Sequence, residues 1–100
     1  MKILETKELF DAEIATGKTV VDFFAEGCGP CKMMEPFFKE ASEEVTDVKF
    51  AKLNVDDVQE VAGQFGVTSI PTMIVFENGK EVKRTTGFLP KPKIVEFASK

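Results

Sequence analysis

The stretch that most limits what this chain can fold into is a junction. Thr19 to Phe24 is rich in β-branched and aromatic residues, then the sequence turns at Gly27 and enters a helical repeat. A strand apolar on both faces belongs in the middle of a sheet that is covered on both sides, so helices must pack over it. One residue breaks the run. Asp22 stands in mid-strand, where an unpaired carboxylate is costly and must be protonated or partnered, so its pKa is expected to be raised.

At the junction lie Cys28, Gly29, Pro30 and Cys31, and these two cysteines are the only ones in the chain. Any sulfur chemistry must run through this pair. Cys28 falls where the unpaired N–H groups and the dipole of a helix meet solvent, a setting that stabilises a thiolate. From Cys31 onward Met34, Phe37, Phe38, Ala41 and Val45 recur at spacings of three and four, with Lys39, Glu40, Glu43 and Glu44 outside. That pattern predicts one buried helical stripe, bent at Pro36, which supplies no N–H and crowds the preceding turn.

The flanking segments supply the rest of the fold. Met1 to Leu4 is a short edge strand, and Thr6 can cap a helix running to about Ala15, with Gly17 ending it in the left-handed region. Lys49 to Val55 predicts another strand, and Val58, Val61, Ala62 and Phe65 a short amphipathic helix that stops at Gly66. A buried strand from Thr72 to Phe76 reaches Asn78-Gly79, whose residues suit the two positive φ angles of a type I′ hairpin, so Glu81 to Thr86 must run antiparallel to it. Gly87 breaks that strand, Pro90 and Pro92 sit at a helix start, and Ile94, Phe97 and Ala98 give the last helix its stripe. The order is β-α-β-α-β-α-β-β-α. Crossovers early and a hairpin late predict a three-layer α/β domain spanning residues 1–100, with a mixed, mainly five-stranded sheet flanked by four helices.

Composition narrows the function. One hundred residues, 43% of them hydrophobic, can bury a core in a single domain without staples. A formal charge of −4 argues against nucleic acid or an anionic membrane as partner. Charged residues punctuate the first twenty positions, and the longest purely apolar run is Met73 to Phe76, so neither a signal-peptide core nor a spanning helix is expected and the default location is cytoplasmic. Two cysteines three apart are not a secreted disulfide framework. Half of a zinc site is the bland reading of the pair, but zinc needs about four ligands and the chain has no histidine or further cysteine. No metal and no bound cofactor are expected.

The segment Val21 to Lys32 with its Cys-Gly-Pro-Cys core, the later Ile70-Pro71-Thr72, and Asn78-Gly79-Lys80 followed by Gly87 together resemble the thioredoxin family at its spacing and across essentially the whole chain. The resemblance implies the thioredoxin fold and a small protein, expected to be a monomer, that reduces disulfides in target proteins through a redox-active Cys28–Cys31 disulfide and is recharged by a thioredoxin reductase. It implies that Asp22 shuttles a proton for the resolving cysteine, with Lys52 near that acid. It also implies a cis bond between Ile70 and Pro71 against the cysteine pair, pairing of the Ile70 backbone with an extended substrate, and a docking surface completed by Gly27 and Gly87.

The chemistry supports the same assignment. Reducing a target disulfide needs an accessible thiolate to attack and a second thiol to release the mixed disulfide. Cys28, at the exposed helix terminus, suits the nucleophile, and Cys31, inside the first turn, suits the resolving role. Gly29 and Pro30 carry no charge or acidic hydrogen that would stabilise the reduced thiolate further, which favours a reducing couple. Structural alternatives stand beside the functional ones: Asp22 as a buried structural acid, Lys52 as a snorkelling lysine, Gly87 as a turn residue.

Two positions depart from the family pattern. Gly27 stands where thioredoxins usually carry Trp before the first cysteine, and Phe24 replaces the earlier Trp. Losing the first ring removes apolar docking area and loosens the loop before Cys28, which bears on substrate range and on the fit to a reductase. With no Trp and no Tyr among 100 residues, redox state cannot be read by their fluorescence. The ten phenylalanines are expected in the core. Two other readings remain at the level of sequence: a disulfide oxidase or isomerase, disfavoured by Gly29-Pro30, and a non-catalytic thioredoxin-fold module that binds a partner through the Ile70 and Gly87 surface.

Overall fold

In the computed structural model, which describes residues 1–100, five strands and four helices follow one another in the expected order: β1 (Lys2–Ile3), α1 (Lys7–Ile14), β2 (Lys18–Phe24), α2 (Gly29–Glu44), β3 (Lys49–Asn54), α3 (Gln59–Gln64), β4 (Thr72–Glu77), β5 (Lys80–Thr86) and α4 (Lys91–Ser99). The strands form one mixed sheet in the spatial order β1-β3-β2-β4-β5. β2 pairs parallel to β3 and antiparallel to β4, so it has neighbours on both edges. That position explains its composition: Val20, Val21 and Phe23 are fully buried.

The period-two alternation of β2 and β4 divides the core into two halves. Val21, Phe23, Ile74 and Phe76 face α1 and α3, meeting Phe10, Ile14, Val58 and Val61. Val20, Met73 and Val75 face α2 and α4, meeting Met34, Phe38, Ala41, Ile94 and Ala98. Helices therefore cover both faces, as the doubly apolar strand requires. Phe10, Phe65 and Phe76 pack edge to face or tilted with ring centroids 5.1 to 5.7 Å apart, which favours these rings beyond their buried area.

Local signals act where they were expected. Thr6 Oγ1 accepts from the Leu9 N–H at 3.1 Å and caps α1. Asn78 and Gly79 take φ of +50° and +88°, the sign a two-residue hairpin demands. Asn78 also fastens the far end of the sheet: its side-chain oxygen accepts from the Gly17 N–H, and its own N–H donates to the Gly17 carbonyl, each at 2.9 Å. Differences from the sequence reading are small. α2 starts at Gly29, which keeps Cys31 in its first turn as expected, but Phe37 lies only partly in the core, its ring packed against Phe88 at 6.0 Å between centroids. Five of the phenylalanines, Phe10, Phe23, Phe38, Phe50 and Phe76, are fully or nearly buried, while Phe88 is exposed.

Candidate active site

The parallel strands β2 and β3 end side by side at Phe24 and Asn54, and the antiparallel β4 begins beside them, with Thr72 opposite Phe23. One edge of the sheet thus gathers the carboxyl end of β2, the start of α2 and the segment that leads into β4. Ligand and reaction sites of open α/β sheets form at such an edge.

Cys28 is the N-cap of α2. Its backbone is extended, its Sγ accepts from the Cys31 N–H at 3.2 Å, and its carbonyl accepts the first helical bond from Lys32 at 3.1 Å. Sulfur here takes the place that Ser or Asp oxygens usually fill, so one of the helix's otherwise unpaired donors points at the reactive atom. Gly29 and Pro30 occupy the first two helical positions, where the missing proline N–H costs nothing. Cys28 and Cys31 are joined as a disulfide with Cα atoms 5.2 Å apart. The two sulfurs differ in access: Cys28 is half-buried and Cys31 is 4% exposed.

Pro71 is buried and follows a cis bond from Ile70. The Ile70 carbonyl oxygen lies 3.8 Å from Cys28 Sγ, across 42 residues of sequence. Two hydrogen bonds tie the segment down: the Gly87 N–H donates to the Pro71 carbonyl at 2.8 Å, and the Thr72 hydroxyl donates to the Ser69 carbonyl at 2.6 Å. Gly87 adopts φ +103°, a conformation that favours glycine, so its conformational freedom serves the alignment of Pro71. Gly27 is exposed, and no heavy atom lies within 4 Å of where its Cβ would be.

Behind Cys31 opens a cleft of about 180 Å3 lined in part by Asp22, Phe24, Cys31, Glu35 and Lys52. Asp22 is 1% exposed, and its Oδ1 has no hydrogen-bond partner. Burial pushes its carboxyl up to about 7, against the pull of Lys52 and with some help from Glu35. The expectation of a raised pKa is thus met, with desolvation as the main cause. Lys52 stands beside Asp22 in the β2–β3 register. Its ammonium nevertheless donates to Glu35 Oε2 at 2.6 Å and sits 4.5 Å above the Phe24 ring.

Cys28, Cys31, Ile70, Pro71 and Gly87 therefore come together at one edge of the sheet, and Asp22 and Lys52 line with Cys31 the cleft behind it. Glu35 was not among the residues singled out by sequence. Its signal was available: it lies one helical turn beyond Cys31, on the same face of α2. No group of three or more His, Cys, Asp and Glu side chains is spaced to hold a metal ion, and no helix is long and apolar enough to cross a membrane.

Comparison with known proteins agrees with this geometry. The thioredoxin family model matches residues 1–100. The chain is 45% identical to a thioredoxin of Mycoplasma genitalium over 96 residues, covering 96% of this chain and 94% of that protein. It is 43% identical to a thioredoxin of Bacillus subtilis, covering 95% and 92%. Among solved structures, a Plasmodium falciparum thioredoxin superposes with a TM-score of 0.94 at 37% identity, covering 99% of this chain and 97% of that one. A Fasciola hepatica thioredoxin superposes with a TM-score of 0.90 at 35% identity and the same coverage.

Proposed function

This chain belongs to the thioredoxin family, and from that premise we propose how its residues divide the work of protein-disulfide reduction by dithiol–disulfide exchange. The Cys28–Cys31 disulfide at the head of α2 carries the reading. In the reduced protein the Cys28 thiolate attacks one sulfur of a target disulfide. A Cys28–target S–S bond forms, the target's own S–S bond breaks, and the departing target thiolate takes a proton from solvent. Asp22 then accepts the Cys31 thiol proton through the cleft that both residues line. The Cys31 thiolate attacks Cys28 Sγ, the mixed disulfide breaks, and the second target thiolate leaves. Two electrons pass to the target and the protein ends as the disulfide. Return to the dithiol takes two electrons from a thioredoxin reductase.

The half-buried Cys28 and nearly inaccessible Cys31 support this order of attack, since only the outer sulfur can reach a folded target. Ile70 offers its backbone carbonyl beside the reacting sulfur, suiting an extended target segment that adds to it as a strand would. Gly27, Gly29, Pro30 and Gly87 form the rim, and Pro71 the wall. Lys52 acts from behind, on Asp22. The whole of residues 1–100 serves as one such domain, working as a monomer in the cytoplasm without a bound cofactor.

The test is reduction of a protein disulfide by the dithiol form, with product thiols counted by alkylation, alongside titration of the couple against a dithiol buffer. Wild type reduces the target and titrates as a two-electron couple near the roughly −270 mV of a thioredoxin. Persistence of reduction in Cys28→Ser sinks the assignment, and a potential well above the glutathione range makes the protein an oxidase or isomerase.

A further inference from the structure

Asp22 is faced by Lys52 from β3, by Cys31, Lys32 and Glu35 from α2, and by Glu26 from the loop between β2 and α2; β4 presents only Met73 in register. Among these charges Lys52 is the only cation with its side chain largely sequestered, at 13% exposure. A lysine so placed would ordinarily turn to a buried carboxylate next to it, because an uncompensated charge there is costly. It does not. Its ammonium is held by Glu35 at 2.6 Å and by the face of Phe24 at 4.5 Å, while Asp22 Oδ1 is sealed off without a partner.

We propose that Glu35 is a positioning residue for the proton transfer at Cys31: by binding the Lys52 ammonium at the mouth of the cleft, it withholds that charge from Asp22 and so fixes how readily Asp22 gives and takes a proton. Glu35 follows Cys31 by four residues, one turn further along α2, and its exposed carboxylate lines the same cleft, so the helix carries both the thiol that must lose a proton and the carboxylate that anchors the lysine. Phe24 gives the ammonium an apolar seat on the same side of the cleft. With Lys52 engaged, Asp22 meets a nearly neutral ion pair in place of a free cation. Its carboxyl then stays basic enough to accept a thiol proton near neutral pH, instead of being held as a weakly basic carboxylate.

The inference rests on Asp22 serving Cys31, and its test is separable from that reading. The Asp22 carboxyl is followed by carbon-13 NMR across pH in the oxidised protein, in wild type, Glu35→Gln, Lys52→Met and the double variant. Glu35 is exposed, so its substitution leaves the core untouched. Glu35→Gln lowers the Asp22 midpoint by about one pH unit, the scale on which a nearby cation acts on a carboxyl. In the Lys52→Met background the same substitution moves it far less. An unmoved or raised midpoint in Glu35→Gln overturns the proposal, and so does an equal shift with and without Lys52, which makes Glu35 a direct neighbour charge only. Asp22→Asn, assayed for the rate at which Cys31 resolves a preformed mixed disulfide, tests the underlying reading separately: an unchanged rate removes Asp22 from the reaction whatever the titration gives.

Discussion

The Cys28 sulfur lies 3.8 Å from the carbonyl oxygen of Ile70, although 42 residues separate the two in sequence. Two elements that share no local signal meet in this contact: the helix capped by a cysteine, and the segment that enters β4. A target segment lying along Ile70 would carry its sulfur to Cys28 and away from Cys31. Cys31→Ser should therefore accumulate a stable mixed disulfide with a protein substrate through Cys28, seen as a covalent adduct by mass spectrometry. Cys28→Ser should accumulate little or none, because Cys31 is 4% exposed. Equal trapping by both variants would mean that access does not choose the nucleophile.

The raised pKa of Asp22 also makes stability depend on pH. Below the ordinary value of 3.8 the carboxyl is protonated in both the folded and the unfolded chain, and above about 7 it is ionised in both. Between these limits the folded protein holds a proton that the unfolded chain has released. Stability then falls as pH rises, by up to about 1.4 kcal/mol per pH unit from this group. Asp22→Asn should remove that slope, giving a variant more stable than wild type at pH 8 and similar to it at pH 3.5. Urea unfolding followed by circular dichroism measures the difference, and parallel pH profiles for the two proteins would count against a protonated Asp22.

Gly87 joins backbone conformation to the site. Its φ of +103° lies outside the range open to side chains at low cost, and its N–H donates to the Pro71 carbonyl at 2.8 Å. Gly87→Ala meets no neighbouring atom within 4 Å, so the penalty is one of backbone strain alone, about 1–3 kcal/mol. Relief of the strain would move the Gly87 N–H away from Pro71. The expected result is a lower urea midpoint together with slower target reduction, whereas Gly17→Ala, at φ +73° on the far end of the sheet, should lower stability without slowing the reaction.

Much of this was legible in the chain, for identifiable reasons. Thr19 to Phe24 could only be a central strand, and Asn78-Gly79 could only suit a tight hairpin, because each imposes a requirement that few other structures meet. Asp22 announced itself as an acid in an apolar run. The partner of Lys52 did not. Register places Lys52 beside Asp22, but which carboxylate its ammonium reaches depends on how α2 lies across the sheet, and that comes from packing of Met34 and Phe38 against Val20 and Met73. The start of α2 at Gly29 agrees with a helix that begins just after Cys28 and holds Cys31 in its first turn, although the cap is made by sulfur, outside the usual capping residues. The cis bond was an expectation from resemblance alone, since isomer state is a tertiary choice that local sequence leaves open.

Gly27 is the position at which this chain can be pushed toward a broader apolar grip. It immediately precedes the nucleophile, it is exposed, and a Cβ added there meets nothing within 4 Å. Its backbone is outside the left-handed region, so a side chain introduces no strain. Gly27→Trp should therefore change folding stability by no more than about 0.5 kcal/mol, as surface substitutions generally do. A ring that buries roughly 60 Å2 against a target contributes about 1.5 kcal/mol, or about a tenfold lower KM. The effect should be confined to targets with apolar residues flanking their disulfide, with kcat unchanged because Cys28, Cys31 and Asp22 are untouched. The new indole also supplies the fluorescence reporter that a chain with no Trp lacks. Steady-state kinetics on one apolar-flanked and one charge-flanked disulfide substrate decide the matter: a KM that falls only for the first places the docking surface beside residue 27, and a KM that stays constant for both places it elsewhere.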